Sequence, residues 1–190
     1  MNTSGIRQLV FELGADVLEA VLADGGVAAW NRLHQSLISK NILSAGWSPE
    51  EDPPPVTVLI NLEGVDLSNR SLRGLDVSAA WMAKADLRNC DLRGARLGCL
   101  PHANLSGADC AGTDFSWLDV TGVDFTGTVL TDAVFEGATF CRSEPPLGLS
   151  PEVMARCIPA SDDVGVSPTD RHRAHAITCK ATLDILHLAR

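Results

Sequence analysis

Residues 85–97 read ADLRNCDLRGARL and residues 103–115 read ANLSGADCAGTDF. In both stretches an apolar residue returns at every fifth position. Extended in both directions, the beat runs Leu62, Leu67, Leu72, Val77, Met82, Leu87, Leu92 and Leu97. It resumes as Leu105, Cys110, Phe115, Val120, Phe125, Leu130, Phe135 and Phe140. Two residues before each of these stands a second, smaller set, typified by Ala80, Ala85, Cys90, Ala95, Ala103 and Ala108. Asp fills the position between the two sets at Asp66, Asp76, Asp86, Asp91, Asp109, Asp114, Asp119 and Asp124, and glycine recurs two residues after the centre. A helix would carry such a stripe around its surface by about 140° per step, so no apolar face would form. A long strand would place successive centres on opposite sides, because five is odd and the strand period is two. The pattern fits a chain that turns once per unit. The large residue and the small one then share an inner face, and Gly, Asn or Ser supplies the bend. The sixteen centres are the expected core.

These stretches resemble the A(D/N)LxG signature of the pentapeptide-repeat family. The resemblance implies an all-β solenoid, a right-handed quadrilateral parallel β-helix with four units to a coil and about four coils in all, to which the residues outside the repeat add helical flanks. Stacking such coils fills the lumen and pairs the backbone, so neighbouring repeats hold each other in place.

The repeat departs from itself in places that bear on function. Leu97 and Leu105 are eight residues apart, and three extra residues around Pro101 and His102 are the economical explanation, leaving a loop at one corner. Trp81 stands where Asp is usual and Trp117 where Gly is usual. Each is either an interface anchor or a contact to a flank. Arg70 falls at an inward position, which suits a place near the open end where its head reaches water or a carboxylate. Leu62–Leu97 carries five acids and six bases, whereas Leu105–Phe140 carries six acids and no base. The family includes acidic rods that bind type II topoisomerases by imitating DNA. On that resemblance Asp109, Asp114, Asp119 and Asp124 are the candidate contacts.

The flanks divide the chain. Residues 1–45 read as a helical N-terminal cap, with one helix over 5–23 ended by Gly25 and Gly26 and a second over 27–39, whose Trp30 packs against its neighbour or the solenoid's open end or else contacts a partner. Residues 46–56 form a Pro-rich linker, 57–142 the repeats, and 143–190 a linker and C-terminal helical segment. Ser150 and Pro151 open a short helix there. A further helix over 169–188 is placed to cover the far end or to pair with a second copy as a homodimer.

The net charge is -9 with no basic block, so direct nucleic-acid binding is not expected. The six cysteines form no CxxC pair, two fall at inward positions, and a reducing cytoplasm is the simpler assignment. No stretch has the length and purity of a membrane span. His172, His175 and Cys179, with Cys157, match no specific zinc signature, so no metal or cofactor is expected. Periodic Asp residues on an outer wall are not an acid/base pair, and no phosphate loop or Ser–His–Asp set is evident. The expected function is a non-catalytic scaffold for protein–protein interaction, with Trp81, Trp117, Pro101 and His102 as candidate contacts. The alternative is an acidic DNA mimic that binds and modulates or protects DNA gyrase.

Overall fold

The computed structural model describes residues 9–39, 56–78 and 80–160. The linker at 46–55 and the helix expected over 169–188, with its proposed dimer contact, lie outside the described residues. So do His172, His175 and Cys179.

The repeat region pairs through isolated parallel bridges rather than long strands. Asp66 bridges Asp86, Ser71 bridges Asp91 and Asp76 bridges Arg96; lower down, Asn104 bridges Asp124, Asp109 bridges Val129 and Asp114 bridges Val134. Each partner lies four five-residue units along the chain, so the backbone forms a β-helix solenoid and equivalent units stack in columns. The ladder alternates: the Leu72 amide donates to the Asp91 carbonyl at 2.9 Å, and the Asp91 amide donates to the Arg70 carbonyl at 3.0 Å. At most corners the centre residue's carbonyl accepts the amide three residues on, as in Leu75 to Leu72 at 3.0 Å, where Gly74 precedes the amide. The residue before that amide is left-handed, which is why Gly74, at φ 70°, suits the place. Asn69, Lys84, Asn89, His102, Trp117 and Asp132 adopt the same conformation without being glycine.

Fourteen of the sixteen centres are buried, and Leu130 and Phe140 are partly so. Small polar residues on the inner face find acceptors in the turn above. The Cys90 thiol donates to the Leu67 carbonyl at 2.9 Å, and the Thr113 hydroxyl donates to the Leu92 carbonyl at 3.1 Å. Their burial therefore leaves no donor unpaired.

The interruption differs from the expected insertion. Across it the bridges Trp81–Cys99, Asp86–Asn104, Asp91–Asp109 and Arg96–Asp114 span two residues fewer than elsewhere. The eight residues from Leu97 to Leu105 are two units with two residues missing, not one unit with three added. Leu100 is the hidden centre, fully buried, and His102 is its left-handed corner. The physical reason is Gly98: a Cβ there would run into the carbonyl oxygens of Ala80 and Val77, so only glycine lets the wall shorten. No loop leaves the tower at this point.

The N-terminal flank covers the first turn. Residues 9–13, expected within the first helix, instead form β1 (Leu9–Leu13), which runs parallel to β2 (Val56–Asn61) from Leu9–Val56 to Leu13–Ile60. The free edge of β2 offers backbone partners that outweigh the weak helical preference of Val10 and Phe11. β2 then pairs with β3 (Ala80–Trp81). Helix α1 (Ala15–Ser39) is broken by left-handed Gly26, at the expected boundary. Its Leu18 and Trp30 are buried against the solenoid core. The Trp30 indole donates to the Asp76 carbonyl at 2.8 Å. Asn31 accepts the Asp76 amide at 2.9 Å and donates to the Gly74 carbonyl at 2.7 Å. Arg70 is exposed, with its guanidinium 3.7 Å from the Glu19 carboxylate. Asn31→Ala removes both bonds to the tower and is expected to cost about 1–2 kcal/mol in thermal or urea unfolding; an unchanged stability would contradict a docked α1.

At the other end β4 (Thr139–Cys141) pairs in parallel with β5 (Ile158–Ala160), after a short helix α2 (Pro151–Met154). Ser150 caps α2 by accepting the Val153 amide, and Leu149 and Val153 pack against the core.

Candidate functional site

With the interior filled by side chains, the walls carry whatever the solenoid offers a partner. The outward Asp positions have a common local task. Asp66, Asp76, Asp86, Asp91, Asp109, Asp114, Asp119 and Asp124 each accept the backbone amide two residues on, at 2.8–3.2 Å. Asn61 and Asn104 do the same with neutral amides. The residue type is chosen for a short acceptor beside a bend, and negative charge is not required.

In the first half Arg side chains pair with Asp76, Asp86 and Asp91. Arg88 Nε lies 2.8 Å from Asp86 Oδ1, and Arg93 Nε lies 2.8 Å from Asp91 Oδ1 and 3.5 Å from Asp109 Oδ2. The Arg93 hydrogen bond holds Asp91 at about 2, well below the usual carboxylate range. Asp86 is lowered by Arg88, and Asp66 by its hydrogen bonds from Ser68. Because the folded-state value lies below the unfolded one, this contribution to stability is full above about pH 4. It is lost as the pH falls toward 2. A carbon-13 titration of the Asp91 carboxylate is expected to show its midpoint near 2; a midpoint near 4 would mean that Arg93 is not engaged.

The candidate residues are spread widely. Asp109, Asp114, Asp119 and Asp124 follow one another around a single turn, each in its own column. Asp109 stands below Asp91, Asp114 below Arg96 and Asp124 below Asn104, while Asp119 sits above Thr139. Asp119 is moreover buried, its carboxylate bonded to the Thr121 amide at 2.9 Å and hydroxyl at 2.6 Å. Pro101 is buried in the wall and its carbonyl accepts the Lys84 amide, which corrects its placement on an exposed loop. His102 is exposed, its ring lying over Gly122 and its Nε2 3.3 Å from Glu144 Oε2. Trp81 is partly buried in β3, opposite Asn61. Trp117 is 45% exposed at a left-handed corner, with its ring across Gly137. The fold does not bring the two tryptophans together.

Sequence reasoning missed Val129 and Val134. They stand at outward positions where Asp is usual, and are 47% and 44% exposed. The loss of Asp from those two units was the available signal.

Among the described residues, no group of three His, Cys, Asp or Glu is placed to hold a metal. Cys90, Cys110 and Cys157 are free, buried thiols, and burial pushes Cys110 up to about 12, so it stays protonated and inert near neutrality. Among the described residues, no helix is long and apolar enough to cross a membrane.

Residues 60–98 and 108–144 match the family of pentapeptide repeats, in eight copies. A solved structure of a pentapeptide repeat protein from Nostoc PCC 7120 is 24% identical over 53% of this chain and 76% of that chain, with a TM-score of 0.23. No curated protein matches the chain.

Proposed function

We propose that this pentapeptide-repeat protein is a non-catalytic scaffold that binds another protein through the outer wall of its solenoid. The observation that carries the reading is Trp117. A large aromatic residue occupies a left-handed corner, where glycine would be unstrained, and presents nearly half its surface to solvent. Such a residue is costly to hold in that conformation, and exposed tryptophan is a frequent anchor of protein interfaces. The solenoid itself is read as right-handed and four-sided, with about four coils. The four-unit spacing of the bridges supports the four sides, and the family resemblance supports the hand. The free, buried thiols Cys90, Cys110 and Cys157 support the assignment to a reducing cytoplasm.

The test is an affinity pull-down from the native host with wild type, Trp117→Ala and Trp81→Ala. The scaffold reading predicts a retained protein that Trp117→Ala weakens while the melting temperature falls little. Failure of wild type to retain any specific protein would contradict it.

The DNA-mimic alternative draws on the base-free second half. Against it, the four candidate carboxylates occupy four columns rather than one stripe, and their shared work is to hold turns. A supercoiling assay with DNA gyrase across several salt concentrations is expected to show no effect at micromolar protein; salt-sensitive inhibition would reinstate the mimic.

A further inference from the structure

The last turn of the solenoid changes character on two adjoining walls. On one wall the column reads Ser71, Asp91, Asp109 and Val129; on the next it reads Asp76, Arg96, Asp114 and Val134. The valines that end both columns are exposed, and the corner between them is Asp132, also exposed. Trp117 closes the second wall at its far corner, its amide donating to the Glu136 carbonyl at 3.1 Å. Apolar and acidic positions therefore share this corner: Val134 is paired with Asp114, Trp117 with Glu136 through the backbone, and Asp132 turns the chain between the two valines.

Among the described residues the charge of this corner has no cationic partner. The Arg–carboxylate pairs of the upper walls stop at Arg93–Asp109. Residues 105–140 contain no Lys or Arg, and among the described residues no cation is paired with Asp114, Asp132 or Glu136. An exposed tryptophan in a base-free acidic stretch suits a guanidinium or ammonium group. The two valines suit the apolar side chains that would lie between such groups on an extended chain.

We propose that this corner binds an extended protein segment in which arginine or lysine alternates with apolar residues. The proposal rests on the scaffold reading above and names the chemistry of its partner.

The probe is a fluorescein-labelled octapeptide of alternating Arg and Val, measured by anisotropy against the full chain. An all-Arg octapeptide and an alternating Glu–Val octapeptide serve as controls. The Arg–Val peptide is expected to bind about tenfold more tightly than all-Arg and to keep part of its affinity in high salt, while Glu–Val does not bind. Val134→Thr and Trp117→Asn, the second suited to a left-handed corner, are each expected to weaken binding about tenfold with unchanged circular dichroism. Thr126→Ala, on another wall, is expected to leave it unchanged.

No binding, equal binding of the all-Arg peptide, or insensitivity to both variants would overturn the proposal. Self-association in sedimentation that Val134→Thr abolishes, without peptide binding, would also overturn it and assign the corner to a second copy. A host protein retained equally by wild type and Val134→Thr would sink this proposal and leave the scaffold reading standing. A wild type that retains nothing would sink the scaffold reading itself.

Discussion

Phe125→Ala is expected to lower the free energy of unfolding by about 3–5 kcal/mol, measured by urea unfolding with the denaturant slope monitored. Phe115, Phe125 and Phe135 meet in the lumen, with centroids 4.8–5.6 Å apart. Phe115 and Phe135 stack at 15°, and Phe125 lies steeply inclined to both, at 86° and 73°. All three are essentially inaccessible to solvent. Truncating the middle partner removes two aromatic contacts and opens a cavity that a backbone pinned by ladder bonds on every wall cannot close. In a solenoid the loss also weakens the coupling between turns. A change below about 1 kcal/mol would mean that these rings do not share one packed interior.

Gly98→Ala is expected to destabilise by about 3 kcal/mol or more, a large effect for one methyl group. The new Cβ would meet the carbonyl oxygens of Ala80 and Val77, which belong to the wall itself. No side chain can swing aside to relieve the clash, so the shortened unit must widen or the ladder must break. The comparison is Gly112→Ala, where a Cβ has open space and the cost is left-handed strain alone. That variant is expected to lose only about 1–2 kcal/mol. Equal urea midpoints for the two would argue that residues 97–100 do not run as a tight step.

Most of the fold is legible because the repeat states the same instruction many times. Leu87, Leu92 and Phe125 need no long-range information: a fifth-residue beat with small partners and bend residues excludes helix and long strand together. The interruption was harder, since Leu100 and Gly98 lie off the beat and their roles depend on contact with Ala80, a full turn away. The β1 segment reads as helix because Leu9, Val10 and Leu13 follow a helical spacing, and it becomes a strand only when the β2 edge is present. The candidate site was the least legible part. Trp117 stood out as a departure from glycine, and its exposure follows from that corner. The acidic series Asp109, Asp114, Asp119 and Asp124 looks continuous along the chain, yet winding distributes it around the tower. Pro101 is polar-loop chemistry in sequence and buried wall in structure.

The register through the interruption tests the account most directly, and interstrand nuclear Overhauser contacts on a deuterated, amide-protonated sample report it. The account predicts a contact pattern that places Leu92 over Cys110, with the Leu92 amide bonded to the Asp109 carbonyl, and Leu87 over Leu105. A three-residue insertion would shift every pairing by one unit and place Leu92 over Phe115, and contacts in that pattern would contradict the account.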